Sequence, residues 1–155
     1  MNICIHAIGK RMPPWVKAGF EDYQARLPRQ FTLSLREINL PERSPTSNIE
    51  RLKAEESQRL LSGIAADDFI VALDQRGKAL SSPQLAAQMQ GWMDDRRDVS
   101  LLVGGPDGLA DECLQRAQLK WSLSNATLPH MLVRVILAEQ LYRAWTILQG
   151  HPYHR

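Results

Sequence analysis

The chain of 155 residues carries a formal net charge of +2, with 44% hydrophobic and 23% charged residues. That length suits one domain spanning residues 1–155; no apolar run nears the ~20 residues of a membrane span, and the charge is too slight to bind nucleic acid through a dense basic footprint alone. Cys4 and Cys113 lie far apart without CxxC spacing, which excludes a zinc ribbon or redox pair and leaves both as small buried hydrophobes.

The opening MNICIHAIGKRMPPW places its basic pair, Lys10 and Arg11, after the apolar stretch. A secretory signal has the reverse order, so a cytoplasmic protein is expected. ICIHAI reads as the first strand, with His6 a satisfied histidine of core or surface and not a catalytic one. Lys10 and Arg11, beside Trp15, form either a solvated turn or a contact for RNA phosphates and a base. TLSLREI, around Leu35, alternates in polarity and fits a strand near a sheet edge. Pro41 to Ser47, PERSPTS, is a surface loop, and Ser47 with Glu50 spells a capping box ahead of IERLKAEESQRLL.

FIVALD, ending at Asp74, and VSLLVG, ending at Gly104, are continuously apolar, as central parallel strands covered on both faces should be. Between them, Ser82-Pro83 supplies an N-cap and first-turn proline for QLAAQMQGWM. LKWSLS, ending at Ser124, is a fifth strand candidate. The closing helix HMLVRVILAEQLYRAWTILQ is apolar over most of its circumference. Val133, Leu137, Leu141 and Trp145 form one stripe, with Val135, Ile136 and Leu148 beside it. Such a helix is either sandwiched in the domain or shared with a second subunit. Glu139 and Arg143 are spaced for an i,i+4 ion pair.

Strands alternating with helices specify an α/β fold with a parallel sheet, whose ligands sit beyond the carboxyl ends of the strands. The loops to watch are DQRGKALSS, GGPDGLAD and SNATLPH. None carries GxGxxG, and no GxxxxGK[ST] occurs, so nicotinamide and ATP readings lose their main support. GGPDGL suits close approach of a ligand to backbone, or simply a tight turn with Pro106 and Gly108 as turn residues. SNATLPH offers small polar side chains, or a bland crossover; side by side, the two loops could grip a planar base. The final HPYHR gathers two imidazoles, a phenol and a guanidinium, groups that bind anions, stack or move protons. With His130 they do not complete a convincing ligand set, and no metal is read here.

Taken jointly, LLVGGPDGL, WSLSNATLPHMLVRVILAEQLYRAW and HPYHR are far more specific than any one of them, and with the opening IxxxAIGKRMPPWV the resemblance covers essentially the whole chain. The chain resembles the small SPOUT-class methyltransferases that use S-adenosylmethionine to methylate N3 of a pseudouridine in bacterial 23S ribosomal RNA. The resemblance implies a parallel-sheet SPOUT fold with a C-terminal trefoil knot, which periodicity does not suggest, and a homodimer packed through the knot region. It places the cofactor pocket on Leu73, Gly104, Leu123, Ser124, Asn125, Ala126, Thr127 and Leu128, mostly through their backbone. Ribosomal RNA, in the large subunit or the whole ribosome, is the implied partner, with the assembled particle favoured because the electrostatic footprint is weak.

Methyl transfer to an imide nitrogen needs alignment and the removal of a proton. The tail residues suit both needs, with His154 deprotonating or orienting the imide, Tyr153 stacking or hydrogen bonding, and Arg155 meeting phosphate or developing negative charge. These residues act in their own subunit's site or in the neighbour's. A noncatalytic RNA- or ribosome-binding protein, and a dinucleotide-dependent enzyme on an unknotted sheet, are the competing readings.

Overall fold

The computed structural model describes residues 1–155. Five strands, β1 (Asn2–Ile8), β2 (Thr32–Ile38), β3 (Phe69–Ala79), β4 (Val99–Val103) and β5 (Leu119–Ser122), form one sheet in the order β2-β1-β4-β3-β5. Every pairing is parallel. The helices are α1 (Pro14–Arg26), α2 (Ile49–Leu61), α3 (Ser82–Asp94), α4 (Asp111–Arg116) and α5 (His130–Leu148), followed by a 3-10 turn at Pro152–His154. The alternating TLSLREI is indeed an edge strand, and the two continuously apolar runs are interior ones. No helix is long and apolar enough to cross a membrane.

Side-chain alternation along the strands decides which helices cover which face. Ile3, Ile5 and Ala7 of β1, with Val71 of β3 and Leu101 of β4, pack in one cluster with Phe20 of α1, Leu85 and Met89 of α3, and Leu137 and Leu141 of α5. Ile8, Ile70, Ala72 and Leu102 point the other way and meet Leu60 and Leu61 of α2 and Cys113 and Leu114 of α4. Cys113 is a buried hydrophobe as expected, but Cys4 is half-exposed, bordering a shallow cleft with Asn2, Arg36 and Asp98. No helix closes over that end of β1.

Both helix starts differ from the sequence reading by one residue. Asn48, not Ser47, caps α2 by accepting from Arg51 N–H at 3.2 Å. Ser47 is engaged in its own turn, its hydroxyl accepting from Ser44 N–H at 2.7 Å. In α3 the N-cap is Ser81, which forms a reciprocal capping box with Gln84, so Ser82 and Pro83 occupy the first turn. Either serine could have served; the Gln84 side chain accepts from the Ser81 backbone N–H and settles it. The third strand also runs past Asp74: residues 74–77 bulge out, and Lys78 and Ala79 rejoin β5 opposite Trp121 and Ser122.

His6 is 2% exposed and its hydrogen bonds form a one-way chain. Arg36 can only donate, so His6 Nδ1 accepts from Arg36 Nη1 at 3.2 Å and Nε2–H donates to Ser100 Oγ at 2.9 Å. Ser100 donates in turn to Asp68 Oδ2 at 2.6 Å. Both ring nitrogens are thereby assigned in the neutral form, and His6 is a satisfied structural histidine. Burial, then the Arg36 charge, lowers its pKa from 6.5 to about 4, with Asp68 opposing. Between those values the unfolded chain binds a proton that the folded chain refuses, so stability is full above pH 6.5 and falls as pH drops toward 4. Denaturant titrations from pH 7 to pH 4 should show a loss of up to about 3 kcal/mol from this residue. His6→Gln, which keeps one donor and one acceptor without titrating, should flatten the profile in that window; an unchanged slope would exclude His6 as its origin.

Candidate active site

The three loops singled out in the sequence converge on one cleft of about 600 Å³ at the carboxyl ends of β3, β4 and β5. Seven of the eight candidate cofactor residues line it: Leu73, Gly104, Leu123, Ser124, Ala126, Thr127 and Leu128; Asn125 lies in the same loop but outside the wall. The size falls within the range of small-molecule sites. The wall combines apolar side chains with loop backbone, a lining suited to a flat heterocycle.

GGPDGL forms a tight turn in which Gly108 N–H donates to Gly105 C=O at 3.0 Å, with Gly108 at φ +79°. A Cβ on Gly104 would lie 2.7 Å from the Gly108 carbonyl carbon, so only glycine lets this loop fold back on the strand end. The opposite wall is tied together by Gln75, whose Nε2 donates to Thr127 Oγ1 at 2.9 Å and joins the β3 bulge to the β5–α5 loop. Within that loop, Ser124 Oγ accepts from Ala126 N–H at 2.9 Å. These contacts hold the walls in place without help from a ligand.

Several further residues of these three loops line the cleft, though the resemblance names none of them as cofactor contacts. Asp74 accepts from Arg76 N–H at 2.7 Å and from its guanidinium at 3.2 Å. The Arg76 hydrogen bond keeps the Asp74 carboxyl below the usual range. His130 closes the far side, its pKa lowered first by burial and then by the Arg134 charge. Asp107 lines the cleft at the tip of GGPDGL and pairs with Arg43 Nη1 at 2.7 Å. Arg43 comes from the PERSPTS loop and also pairs with Glu56 of α2 at 3.1 Å, so a segment read as plain surface clamps the cleft from behind. Arg43 is the only marker in that loop, and nothing local in the sequence points it at residue 107.

The tail is elsewhere. His130 begins α5 and Leu148 ends it; none of residues 151–155 lines the cleft, and the tail folds back along the helix to Glu139, about 14 Å from His130 at 1.5 Å per residue. The Tyr153 hydroxyl lies 3.2 Å from Glu139 Oε1 and 3.3 Å from Tyr23 Oη. Its ring meets Tyr142 edge-on at 4.7 Å, and the Arg143 guanidinium lies 5.1 Å from its centroid. The ring is therefore packed within its own chain. Burial, and then the Tyr23 hydrogen bond, raise the phenol's pKa well above its ordinary value, so it remains a donor. The expected Glu139–Arg143 pair forms at 2.6 Å and doubles as the tail's anchor. His154 Nδ1 is buried without a hydrogen-bond partner, and Arg155 is exposed.

A family described as "Predicted SPOUT methyltransferase" matches residues 1–154. The chain belongs to the SPOUT methyltransferase family. It is 53% identical over 155 residues to a Hahella chejuensis protein named ribosomal RNA large subunit methyltransferase H, covering 100% of this chain and 99% of that one. A protein of the same name from Methylococcus capsulatus is 52% identical, with 100% of both chains covered. Among solved structures, a probable methylase family protein from Haemophilus influenzae shares the fold, with a TM-score of 0.57 at 11% identity over 99% of this chain and 70% of that one. A SPOUT methyltransferase requires a methyl donor.

Glu56 is 2% exposed and its pKa is raised, chiefly by burial and against the Arg43 hydrogen bond. Arg43→Ala should leave that carboxylate uncompensated and cost about 2–3 kcal/mol in urea denaturation. Adding Glu56→Gln should recover part of the loss; a double variant less stable than the single one would show that the pair is not what holds the loop.

Proposed function

We propose that this SPOUT methyltransferase transfers the methyl group of S-adenosylmethionine to N3 of a pseudouridine in bacterial 23S large-subunit ribosomal RNA, with the assembled ribosome as substrate. One observation carries the reading. A cleft walled by three strand-end loops occurs in a chain that matches, end to end and at over half identity, relatives named ribosomal RNA large subunit methyltransferase H. The low net charge favours docking on a large preformed particle over capture of naked RNA.

The cleft's residues fit the donor. Gly104 leaves no side chain between ligand and backbone, Leu73, Leu123 and Leu128 offer apolar surface, and the free backbone groups of residues 123–128 can meet the edge of an adenine. Asp74 and Asp107 offer negative charge to the donor's cationic parts. S-adenosylmethionine supplies an electrophilic methyl group on a sulfonium. What the chain must add is alignment and a route for the imide proton.

None of the tail residues 151–155 lines the cleft of its own chain. This supports a composite site in a homodimer, with cleft loops from one subunit and His154 and Arg155 from the other. Leu132 and Ile136 of α5 remain half-buried and outside both core clusters, which suits an interface. His154, with its unpartnered Nδ1, takes the proton or orients the imide; Arg155 meets phosphate or developing negative charge; Tyr153, a donor held by Glu139 and Tyr23, fixes the tail. The knotted threading of the C-terminal segment belongs to the same proposal.

Isothermal titration should find S-adenosylmethionine binding, and labelled-methyl transfer to ribosomes should depend on the tail. Removing Tyr153 to Arg155 should abolish transfer while donor affinity stays within about twofold; normal turnover by the truncated chain would refute the assignment. Mixing Gly104→Ala with His154→Ala subunits should restore about a quarter of wild-type activity through mixed dimers. A site complete within one subunit would restore none.

A further inference from the structure

Trp92 and Trp121 are each 2% exposed, and Trp145 is half-buried against the core. Trp15, in the first turn of α1, is 64% exposed. An indole held in water is an unusual use of the largest apolar side chain, and it marks contact surfaces. Immediately before it, Lys10 and Arg11 are exposed and form no ion pair, whereas Lys17 and Arg26 of the same helix are each paired with an acid one turn away. The two free cations and the free indole share one short segment.

That turn is held firmly. Gly9 N–H donates to Ile38 C=O at 2.7 Å, and Gly9 C=O accepts from Arg134 Nη2 at 2.7 Å. Arg134, 1% exposed, also contacts the Met12 sulfur at 3.8 Å, so one buried guanidinium reaches both ends of the Gly9–Met12 segment. The same segment abuts the cleft. A methyl group placed on Gly9 would lie 3.6 Å from His130 Nε2, and His130 lines the cleft wall.

We propose that the Lys10–Trp15 turn docks an unpaired nucleotide flanking the methylated base, Trp15 stacking on its ring and Lys10 and Arg11 holding adjacent phosphates. The proposal rests on the ribosomal RNA reading above and names a substrate contact within it. A flat aromatic face beside two exposed cations matches the alternating chemistry of a single strand, base then phosphate. Paired RNA hides its bases from such a face, so the occupant is unpaired. In a chain with net charge +2, this local pair supplies positive potential where the bulk charge does not.

Steady-state methylation of ribosomes tests the contact, alongside binding of a single-stranded RNA oligonucleotide, S-adenosylmethionine titration and thermal melts. Trp15→Ala should raise KM for ribosomes about tenfold or more and weaken oligonucleotide binding similarly, with donor affinity and Tm unchanged. Trp15→Phe should retain most of the function and Trp15→Leu should not, since only the first preserves a π face. Changing Lys10 and Arg11 together to glutamine should reduce the slope of log affinity against log salt by about 1.4. Wild-type KM in Trp15→Ala, or equal rescue by Leu and Phe, would overturn the proposal in favour of a bare surface or an apolar protein contact. A dimer that dissociates on Trp15→Ala would overturn it in favour of self-association. If the wild-type enzyme transfers no methyl group to ribosomes, the function proposed above fails instead, and the oligonucleotide measurement still decides the contact.

Discussion

Arg134 is the constraint on which the working end of this molecule depends. A guanidinium that is 1% exposed cannot be left unpaired, because the cost of its desolvation is several kcal/mol. It is met by Glu37 of β2 at 2.8 Å and by the carbonyls of Ile8 and Gly9 at 3.3 and 2.7 Å. Those partners lie at the carboxyl ends of β1 and β2, and Arg134 itself lies in the first turns of α5. The charge therefore ties the start of the last helix to the end of the first strand. His130 at the cleft wall and the Lys10–Trp15 turn beside it both take their positions from that tie.

The cleft itself is stabilised by contacts between segments distant in sequence. Gln75 meets Thr127, and Arg43 meets Asp107, while Gly104 lets its own loop fold against Gly108. The first joins the β5–α5 loop to β3, and the second joins two loops to each other. Walls fixed in this way do not need ordering when a ligand arrives, so the ligand's interaction energy is not diverted to closing loops. The buried Glu56 carboxylate behind Arg43 serves the same end, since its unfavourable desolvation makes departure of the arginine costly.

Helix α5 separates two sets of chemistry along its length. At its amino end are His130 and the cleft; in its middle Glu139, Tyr142 and Arg143, joined by Tyr23 of α1, seat Tyr153. The tail folds back along α5 to Glu139, and none of its residues lines the cleft. That separation is the reason for the composite site proposed above, and Leu132 and Ile136 of α5 are half-buried outside both core clusters.

Much of the architecture was legible in the sequence because it rests on local periodicity. All five strands, the edge position of TLSLREI, the interior position of the two apolar runs, and the convergence of three loops at one sheet end follow from patterning and the rules of parallel sheets. The caps at Asn48 and Ser81 were missed because neighbouring polar residues compete for the same role, and differences of about 1 kcal/mol choose between them. Composition exposed HPYHR as chemically unusual, and the family resemblance supplied it with a role; neither could say that Tyr153 would be held on Glu139 midway along α5. Arg43, Arg134 and His6 gain their roles from partners 13 to 126 positions away. Periodicity acts between neighbours and is written in the sequence, whereas the pairing of buried charges is decided by which distant segments the sheet brings within reach.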